Sequence, residues 1–368
     1  MFERRLRELR RIITELKLDA CLVTSVLNIL YLTGYSGFSV EEREAFLLIT
    51  ADAQFLLTDG RYTTAVREQV PHFSLVEIGS RYSFKKAFET LVEEHRIKKL
   101  GIEENNLWVY EYKTILPFVK ETMHVPAGQL RIKKTAEEIA AIEHACRVGD
   151  VAVQTALQHI KPDISEKHLA SIIEDGMRKQ DAEPSFRTII GFGAHAAVPH
   201  HMTGDMKLGK RGLILIDSGA KITDYCSDMT RTVFLGKATA EEKKIYETVH
   251  EAQQIAAETL TAQLALLKAG SIDRIPAADI DKSAREYIIS KGYPTIPHSL
   301  GHGIGLEVHE LPSLSPVSTH NLENGMIFSI EPGIYIPGEA GVRIEDLYVI
   351  ENYTLRRLTQ TQNTLIEL

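Results

Sequence analysis

One four-residue pattern occurs twice in the sequence, and each copy begins the same order of predicted elements. Thr135-Ala-Glu-Glu138 recurs as Thr239-Ala-Glu-Glu242, and a threonine followed three residues later by a glutamate is a capping box that opens a helix. A second helix is predicted after each long helix, ending near Met177 in the first copy and near Ser290 in the second. A histidine-containing turn segment and strands then follow in both copies. We infer two helix-helix-strand units related by duplication, which are too few for a solenoid and are expected to form one closed, pseudo-symmetric domain.

The most apolar strands predicted in these two units have acidic residues in them or beside them. The first unit contributes strands over 212–217 and 227–235, and the second contributes strands over 325–330 and 342–350. The polar residues of these strands and of the second histidine segment are Asp217, Asp228, His302, Glu331 and Glu345. A carboxylate in an apolar strand costs free energy unless another group neutralises it. The carboxylates fall at equivalent places in the two units, so we expect two hairpins that each present a pair of carboxylates to one centre.

Four carboxylates and one imidazole match the oxygen-rich donor set of a site for two divalent metal ions. Taken singly, each residue has a plainer interpretation. Asp217 alone would fit a turn, and Asp228 alone would fit an ion pair with Arg231. His302 alone would fit a glycine-rich loop, and the two glutamates would fit strand ends. Independent accidents would not fall at equivalent positions of two repeats, so we favour a shared metal centre.

The first 130 residues are organised differently. Predicted elements are a helix over 3–18, strands over 20–24, 45–49, 54–58 and 99–103, and a helical segment over 83–97. Alternating helices and strands predict a small α/β domain. We place the boundary near residue 130, which gives domains 1–130 and 131–368. The fold class expected for the whole chain is therefore α/β (α+β).

Charge and cysteine content exclude several functional classes. The chain of 368 residues has a formal net charge of -8, so it has no basic footprint for nucleic acid. Its three cysteines show no CxxC spacing, which excludes a dense disulfide framework and suggests a reducing compartment. Glu3, Glu8 and Glu15 argue against a transit peptide, and no apolar run approaches the length of a membrane span. We expect a cytoplasmic protein that binds neither nucleic acid nor a membrane.

At the candidate metal ligands the sequence resembles the pita-bread metallopeptidases, which include the methionine aminopeptidases, aminopeptidase P and Xaa-Pro dipeptidase (prolidase). The segments that carry the resemblance, in the family's order, are Ile216-Asp-Ser-Gly-Ala220, Ser227-Asp-Met-Thr-Arg-Thr232, Gly301-His-Gly-Ile-Gly305, Val308-His-Glu310, Ile330-Glu-Pro-Gly-Ile334 and Val342-Arg-Ile-Glu-Asp346. Residues 28–37 and 59–62 resemble the creatinase-type N-terminal domain of the proline-specific members. The resemblance implies a small creatinase-type α/β domain followed by a pseudo-twofold pita-bread catalytic domain.

The resemblance also implies roles for individual residues. The metal ligands would be Asp217, Asp228, His302, Glu331 and Glu345, holding two divalent ions, with Mn²⁺ expected and Co²⁺, Zn²⁺ or Fe²⁺ as alternatives. Hydroxide generated from a shared water would attack the scissile carbonyl. Glu331 would move the proton toward the leaving nitrogen, and His309 would donate a hydrogen bond to the tetrahedral intermediate. His200 would line the substrate side, and Arg343 would orient a carboxylate or Tyr225.

The reaction implied by the resemblance is hydrolysis of an Xaa-Pro bond at the N-terminus of a short peptide. Such a bond has no N–H and adopts cis or trans forms, so a shaped pocket would select it. The residues do not distinguish a dipeptidase from an aminopeptidase that takes longer peptides. A methionine aminopeptidase-like enzyme and a peptide- or protein-binding pseudo-enzyme are the alternatives, and retention of all five ligands disfavours the second. A homodimer is expected, and His195 and His201 are interpreted as structural or rim residues.

Overall fold

The structure, a computed structural model, describes residues 2–368. The chain divides after Arg131 into two compact units, and the second unit runs from Ile132 to Leu368. None of the helices in the described part of the chain combines the length and the apolarity needed to cross a membrane.

The first unit is built on a six-stranded sheet with the strand order β4-β3-β2-β1-β5-β6. Its strands are β1 (Ala20–Val23), β2 (Ala45–Thr50), β3 (Gln54–Asp59), β4 (Ser74–Ile78), β5 (Lys99–Ile102) and β6 (Glu121–His124). Its α-helices are α1 (Phe2–Glu15), α2 (Val26–Thr33), α3 (Thr63–Gln69), α4 (Phe84–Glu94) and α5 (Val109–Ile115). Strands β1, β2 and β3 pair antiparallel, and the remaining neighbours pair parallel. The predicted α/β organisation of this part of the chain is confirmed.

Helix α1 ends three residues before its predicted end at residue 18. Lys17 has a left-handed backbone with φ 55, and the Leu18 N–H donates to the Ile13 carbonyl at 2.9 Å. A left-handed residue followed by such a backward hydrogen bond closes a helix and satisfies its last carbonyl groups. The apolar side of α1 buries Leu6, Leu9 and Ile13.

The second unit contains two helix pairs, each followed by strands. The helices are α6 (Ala136–Leu157), α7 (Glu166–Arg178), α8 (Ala240–Lys268) and α9 (Ala277–Ser290). The strands after the first pair are β7 (Glu183–Pro184), β8 (Ile189–Phe192), β9 (Gly212–Ser218), β10 (Ala220–Ile222), β11 (Tyr225–Cys226) and β12 (Met229–Leu235). The strands after the second pair are β13 (Gly301–Gly303), β14 (Glu310–Leu314), β15 (Ile327–Ile330), β16 (Gly333–Ile336), β17 (Ala340–Arg343), β18 (Asp346–Glu351) and β19 (Thr354–Arg357). This order matches the predicted repetition.

Both predicted capping boxes are present. The Thr135 N–H donates to Glu138 Oε2 at 2.8 Å, and the Glu138 N–H donates back to Thr135 Oγ1 at 3.3 Å. Thr239 and Glu242 exchange the same two bonds at 2.7 and 3.2 Å. Each box satisfies two N–H groups that a helix start leaves without an intrahelical partner, so the two long helices begin where the sequence predicts.

Two antiparallel strand pairs bring the acidic strand ends together. Strand β9 lies between β12 and β8, and β15 lies between β13 and β18. Alternate residues of β9 enter different apolar clusters: Leu213 and Leu215 pack with α8 and α9, whereas Ile214 and Ile216 pack with α6 and α7. Because side chains alternate between the two faces of a strand, β9 is covered on both faces. Its carboxyl end is therefore held rigidly within the unit.

The prediction of one continuous strand over 342–350 is wrong. Strand β17 ends at Arg343 and pairs with β16, whereas β18 begins at Asp346 and pairs with β15. Between them the Glu345 N–H donates to the Thr230 carbonyl at 3.1 Å, so this residue is bonded to the first strand set instead. Apolar character alone does not reveal such a break, because residues on both sides of it are buried.

Candidate metal centre

The five predicted ligands stand at the ends of strands that face one another. Asp217 lies in β9 opposite Thr230 of β12, next to the pair of Ser218 with Met229. Asp228 directly precedes β12, and His302 is the middle residue of β13. Glu331 directly follows β15 and Glu345 directly precedes β18, so the two glutamates flank the register pair of Ile330 with Asp346.

These side chains converge on a small volume. Donor atoms of Asp228, His302 and Glu345 all lie within 4.8 Å of one another. His302 Nε2 lies 3.2 Å from Glu331 Oε1 and 3.8 Å from Asp228 Oδ2. Asp217 lines the same cavity as His302 and Glu331, which brings the fifth residue into the group. The structure thus places all five predicted ligands together, from both duplicated units.

Three carboxylates of this group are buried, and each has one oxygen that accepts no hydrogen bond from the described residues. Asp217 is 8%, Asp228 5% and Glu345 2% exposed. Among the described residues, no hydrogen-bond donor reaches Asp217 Oδ1, Asp228 Oδ1 or Glu345 Oε1. A buried, unpartnered carboxylate oxygen costs on the order of several kcal/mol, and native proteins seldom keep one without a function. Divalent cations take such oxygens as ligands, so the residues present fit a metal centre.

The same crowding changes the acidity of the carboxyl groups. Burial, followed by the charges of Glu345 and Asp217, raises the pKa of Asp228 well above its ordinary value. Burial, with Glu331 and Asp217 nearby, raises the pKa of Glu345 to about 8. Burial also raises the pKa of Asp217, although the charge of Arg343 opposes the shift. Carboxylates without a counter-charge in a buried group hold protons, and a divalent cation would supply that counter-charge.

His302 and Glu331 form an ion pair in the metal-free site. Burial alone would lower the pKa of His302, but the hydrogen bond and charge of Glu331 outweigh it and raise the pKa to about 9. Burial alone would raise the pKa of Glu331, but the same contact with His302 lowers it to about 2. A metal ion needs the neutral imidazole. Metal binding would therefore displace the proton from the His302 imidazole.

Arg343 connects one candidate ligand to the framework. Its Nη2 donates to Asp217 Oδ2 at 2.5 Å, and its Nε donates to Thr230 Oγ1 at 3.0 Å. Thr230 Oγ1 in turn donates to Glu345 Oε2 at 2.8 Å. Tyr225, the other partner considered for Arg343, instead donates to Glu138 at 3.0 Å. Hydrogen bonds to the outer oxygens of metal-ligating carboxylates orient their inner oxygens.

Sequence reasoning missed two residues of this network. Arg343 Nη1 donates to Tyr335 Oη at 3.0 Å, and Tyr335 Oη lies 2.9 Å from His298 Nε2. Tyr335 sits in the apolar strand β16, where core packing is the ordinary expectation. His298 stands four residues before His302 in the same glycine-rich segment. Its closeness in sequence to the candidate ligand His302 is the feature from which His298 could have been predicted as a site residue.

A cavity of about 490 Å³ opens onto these residues. Its volume falls within the usual range of small-ligand sites, on the order of 300–1,000 Å³. His200 and His309 are both exposed and line it, as do His298 and His302. The ring centroids of His302 and His309 are 4.3 Å apart at an interplanar angle of 73°. Burial and the neighbouring His302 lower the pKa of His309, which favours a neutral imidazole there.

The loop that carries His200 is fastened by a buried glutamate. Glu166, at the start of α7, is fully buried, and its oxygens lie 2.7 Å from His195 Nδ1 and 3.0 Å from His201 Nε2. The Phe192 and Gly204 N–H groups also donate to it, at 3.1 and 2.9 Å. His195 and His201 are therefore positioned as anchors of the loop, while His201 also lines the cavity.

Two comparisons with protein families bear on this site. Residues 140–352 match metallopeptidase family M24, and residues 5–130 match the Creatinase/Prolidase N-terminal domain. The chain belongs to metallopeptidase family M24. The family and the fold class predicted from the sequence are thereby confirmed. Membership of a metallopeptidase family implies divalent metal ions, in accord with the unpartnered carboxylate oxygens of the site.

Individual relatives of this M24 chain cover it almost completely. The chain is 34% identical to the Xaa-Pro dipeptidase of Pyrococcus furiosus, over 98% of this chain and 99% of that protein. The structure of an Xaa-Pro dipeptidase from Bacillus anthracis superposes with a TM-score of 0.90 at 30% identity, covering 100% of both chains. An X-Pro aminopeptidase from Thermotoga maritima superposes with a TM-score of 0.82 at 29% identity, covering 97% of this chain and 100% of that one.

Proposed function

We propose that this protein is a metal-dependent exopeptidase that hydrolyses the Xaa-Pro bond at the N-terminus of short peptides. The observation that carries the proposal is the set of buried carboxylates whose unpartnered oxygens lie beside a cavity lined by His200 and His309. The similarity to Xaa-Pro dipeptidases and to an X-Pro aminopeptidase supports the choice of bond. Both structural relatives extend over nearly the whole chain, including the N-terminal unit.

The proposed ligands are Asp217 for one metal ion, Asp228 and Glu345 for both, and His302 and Glu331 for the other. Two bound divalent cations would supply Lewis acidity for the scissile carbonyl and would lower the pKa of water. The unpartnered Oδ1 of Asp228 and Oε1 of Glu345 support both residues as ligands, and the hydrogen bond from Thr230 Oγ1 to Glu345 Oε2 orients the Glu345 carboxylate. We propose Mn²⁺ as the native ion, with Co²⁺, Zn²⁺ or Fe²⁺ as alternatives, since an oxygen-rich donor set with one imidazole accommodates each of them.

The remaining roles belong to side chains around this group. Glu331 would pass a proton to the leaving nitrogen, since it lines the cavity. His309 would donate a hydrogen bond to the oxyanion that develops at the scissile carbonyl. Arg343 would act by positioning Asp217, to which it donates. His200 would contact the substrate, because it is exposed to the cavity on a loop that Glu166 fastens.

Three further properties are part of the proposal. We propose a cytoplasmic location, which the three buried free cysteines support, since such thiols persist in a reducing compartment. We propose a homodimer, on the resemblance of residues 5–130 to the Creatinase/Prolidase N-terminal domain. We propose that domains 1–130 and 131–368 are the evolutionary modules, a division supported by the family matches on either side of it.

A substrate panel on protein stripped of metal and reloaded with Mn²⁺ tests the proposal. Ala-Pro and Ala-Pro-Gly report the proposed activity, and Met-Ala-Ser reports the activity of a methionine aminopeptidase. We expect release of the N-terminal residue from at least one proline peptide and none from Met-Ala-Ser. Cleavage of Met-Ala-Ser alone would support the methionine aminopeptidase alternative. Binding without cleavage of any peptide would support a pseudo-enzyme.

A further inference from the structure

Two arginines line the cavity, and they differ in the number of hydrogen bonds that they donate to the protein. Arg343 is buried and donates to Asp217, Thr230 and Tyr335, so its hydrogen-bonding capacity serves the framework. Arg187 is exposed, and its one hydrogen bond runs from Nη2 to the Thr203 carbonyl at 3.3 Å. Within residues 2–368 no carboxylate lies within ion-pair distance of Arg187. The cavity thus contains one guanidinium whose charge is not matched by the protein.

Arg187 is held close to the candidate ligands. It precedes strand β8 by two residues, and Ile189, the first residue of β8, is the register partner of Asp217. Arg187 and Ile189 both line the cavity, whereas Thr188 between them is buried. Two residues of extended chain span about 6.6 Å, a distance that an arginine side chain and a small substrate bridge. Arg187 therefore lines the same cavity as Asp217 and Glu331.

The hydrogen bond to the Thr203 carbonyl anchors the Arg187 guanidinium. Thr203 is itself buried, and its Oγ1 donates to the Thr188 carbonyl at 2.8 Å and accepts from the Ile190 N–H at 2.9 Å. One N–H of Arg187 is thus bonded to a buried residue, and Arg187 itself is exposed and lines the cavity. Guanidinium donors arranged in this way suit a carboxylate, which accepts two parallel hydrogen bonds.

In an Xaa-Pro dipeptide the proline carboxylate lies one residue beyond the scissile carbonyl. In a longer peptide the same position holds a neutral amide. We propose that Arg187 binds the C-terminal carboxylate of an Xaa-Pro dipeptide and so makes this enzyme a dipeptidase. This inference rests on the proposed function and adds the substrate class. Arg187 would thus determine specificity, whereas Arg343 positions Asp217.

The test compares Ala-Pro with Ala-Pro-amide, which has the same scissile bond but lacks the negative charge. With Mn²⁺-loaded wild-type protein we expect a kcat/KM ratio of Ala-Pro to Ala-Pro-amide well above one. Arg187→Gln should lower that ratio about tenfold or more, chiefly through a higher KM for Ala-Pro, because a hydrogen bond to a charged group is lost. Arg187→Lys should retain part of the preference. Arg147→Gln, an exposed arginine outside the cavity, should leave the ratio unchanged.

A second measurement does not depend on turnover. The reduced-bond analogue of Ala-Pro, with CH₂–N in place of the scissile amide, should raise the Tm of the wild-type protein more than its C-terminal amide does. Arg187→Gln should remove that difference. An unchanged kcat/KM ratio and an unchanged Tm difference in Arg187→Gln would overturn the role of Arg187 while leaving the peptidase intact. If wild-type protein cleaves neither substrate, the proposed function fails, and this inference fails with it.

Discussion

The Arg343 guanidinium donates a 2.5 Å hydrogen bond to Asp217 Oδ2, while Asp217 Oδ1 has no donor among the described residues. Arg343 belongs to the second duplicated unit and Asp217 to the first. One oxygen of the carboxylate is therefore neutralised and fixed, and the other is left for a cation. This hydrogen bond joins the two duplicated units at the candidate metal centre.

Replacing Arg343 should weaken metal binding as well as catalysis. In Arg343→Met the Asp217 carboxylate loses its fixed orientation, and loss of such an outer contact typically costs about tenfold to a hundredfold in metal affinity or activity. Calorimetric titration of metal-free protein with Mn²⁺ measures the change. Arg356→Met is the matched control, because Arg356 pairs with Glu351 and Glu143 away from the cavity. Equal Mn²⁺ affinity in wild type and Arg343→Met would contradict the positioning role.

Glu331 should be indispensable for turnover. Glu331→Ala removes both a proposed metal ligand and the group proposed to move the proton, so we expect activity on the proline peptides to be abolished. Metal content by elemental analysis should fall in the same variant. Glu339→Ala, in the exposed turn between β16 and β17, controls for loss of a glutamate. Retained turnover in Glu331→Ala would exclude Glu331 from both roles.

His309 should affect the chemical step without affecting metal binding. Its ring faces His302 at 4.3 Å between centroids, but it is not among the groups of clustered donor atoms. His309→Ala should therefore keep its Mn²⁺ stoichiometry and lose about a hundredfold or more in kcat, the usual cost of losing an oxyanion donor. Parallel measurement of metal content and kcat separates the effects. A variant that loses its metal, or that keeps full kcat, would show that this role is misassigned.

The four carboxylates of the candidate site are predictable from the sequence, because each lies in or beside an apolar strand at an equivalent place in the two repeats. Equivalent strand ends of two duplicated units are expected to meet, so the sequence predicts that Asp217 and Glu331 lie at one metal centre. The capping boxes were equally clear, since their pairing depends on residues three apart. Local patterns of this kind depend on few long-range contacts.

Other parts of the site depend on contacts between distant residues that no local pattern encodes. Glu166 binds His195 and His201 across about thirty positions of sequence, and in sequence it resembles any acidic residue at a helix start. Tyr335 resembles a core residue until its hydroxyl is seen beside Arg343. The break between β17 and β18 follows from a bond to Thr230, which lies more than a hundred residues earlier.

The stability of the metal-free protein should fall as pH rises. The pKa of Glu345 is raised to about 8 from 4.5, mainly by burial, and that of His302 is raised to about 9 from 6.5 by Glu331 despite burial. Both groups hold protons in the folded protein that they release on unfolding. The free energy of unfolding should therefore decrease as pH rises through about 4.5 to 8 for Glu345 and 6.5 to 9 for His302.

Bound metal should reverse this trend, because it requires both ligands deprotonated. The increase in Tm caused by Mn²⁺ should be larger at pH 8 than at pH 5.5. Thermal unfolding of dialysed protein with and without Mn²⁺ at the two pH values provides the measurement. A metal-induced Tm increase that is constant, or that shrinks toward pH 8, would contradict the protonation of these ligands.

We propose that the buried carboxylates hold two divalent ions and that Xaa-Pro hydrolysis depends on these ions. The most direct test is titration of metal-free protein with Mn²⁺ while proline release from Ala-Pro is followed. We expect no turnover without metal, and we expect activity to rise to a plateau near two equivalents of bound Mn²⁺ per chain. Full turnover by the metal-free protein in the presence of a chelator would contradict it.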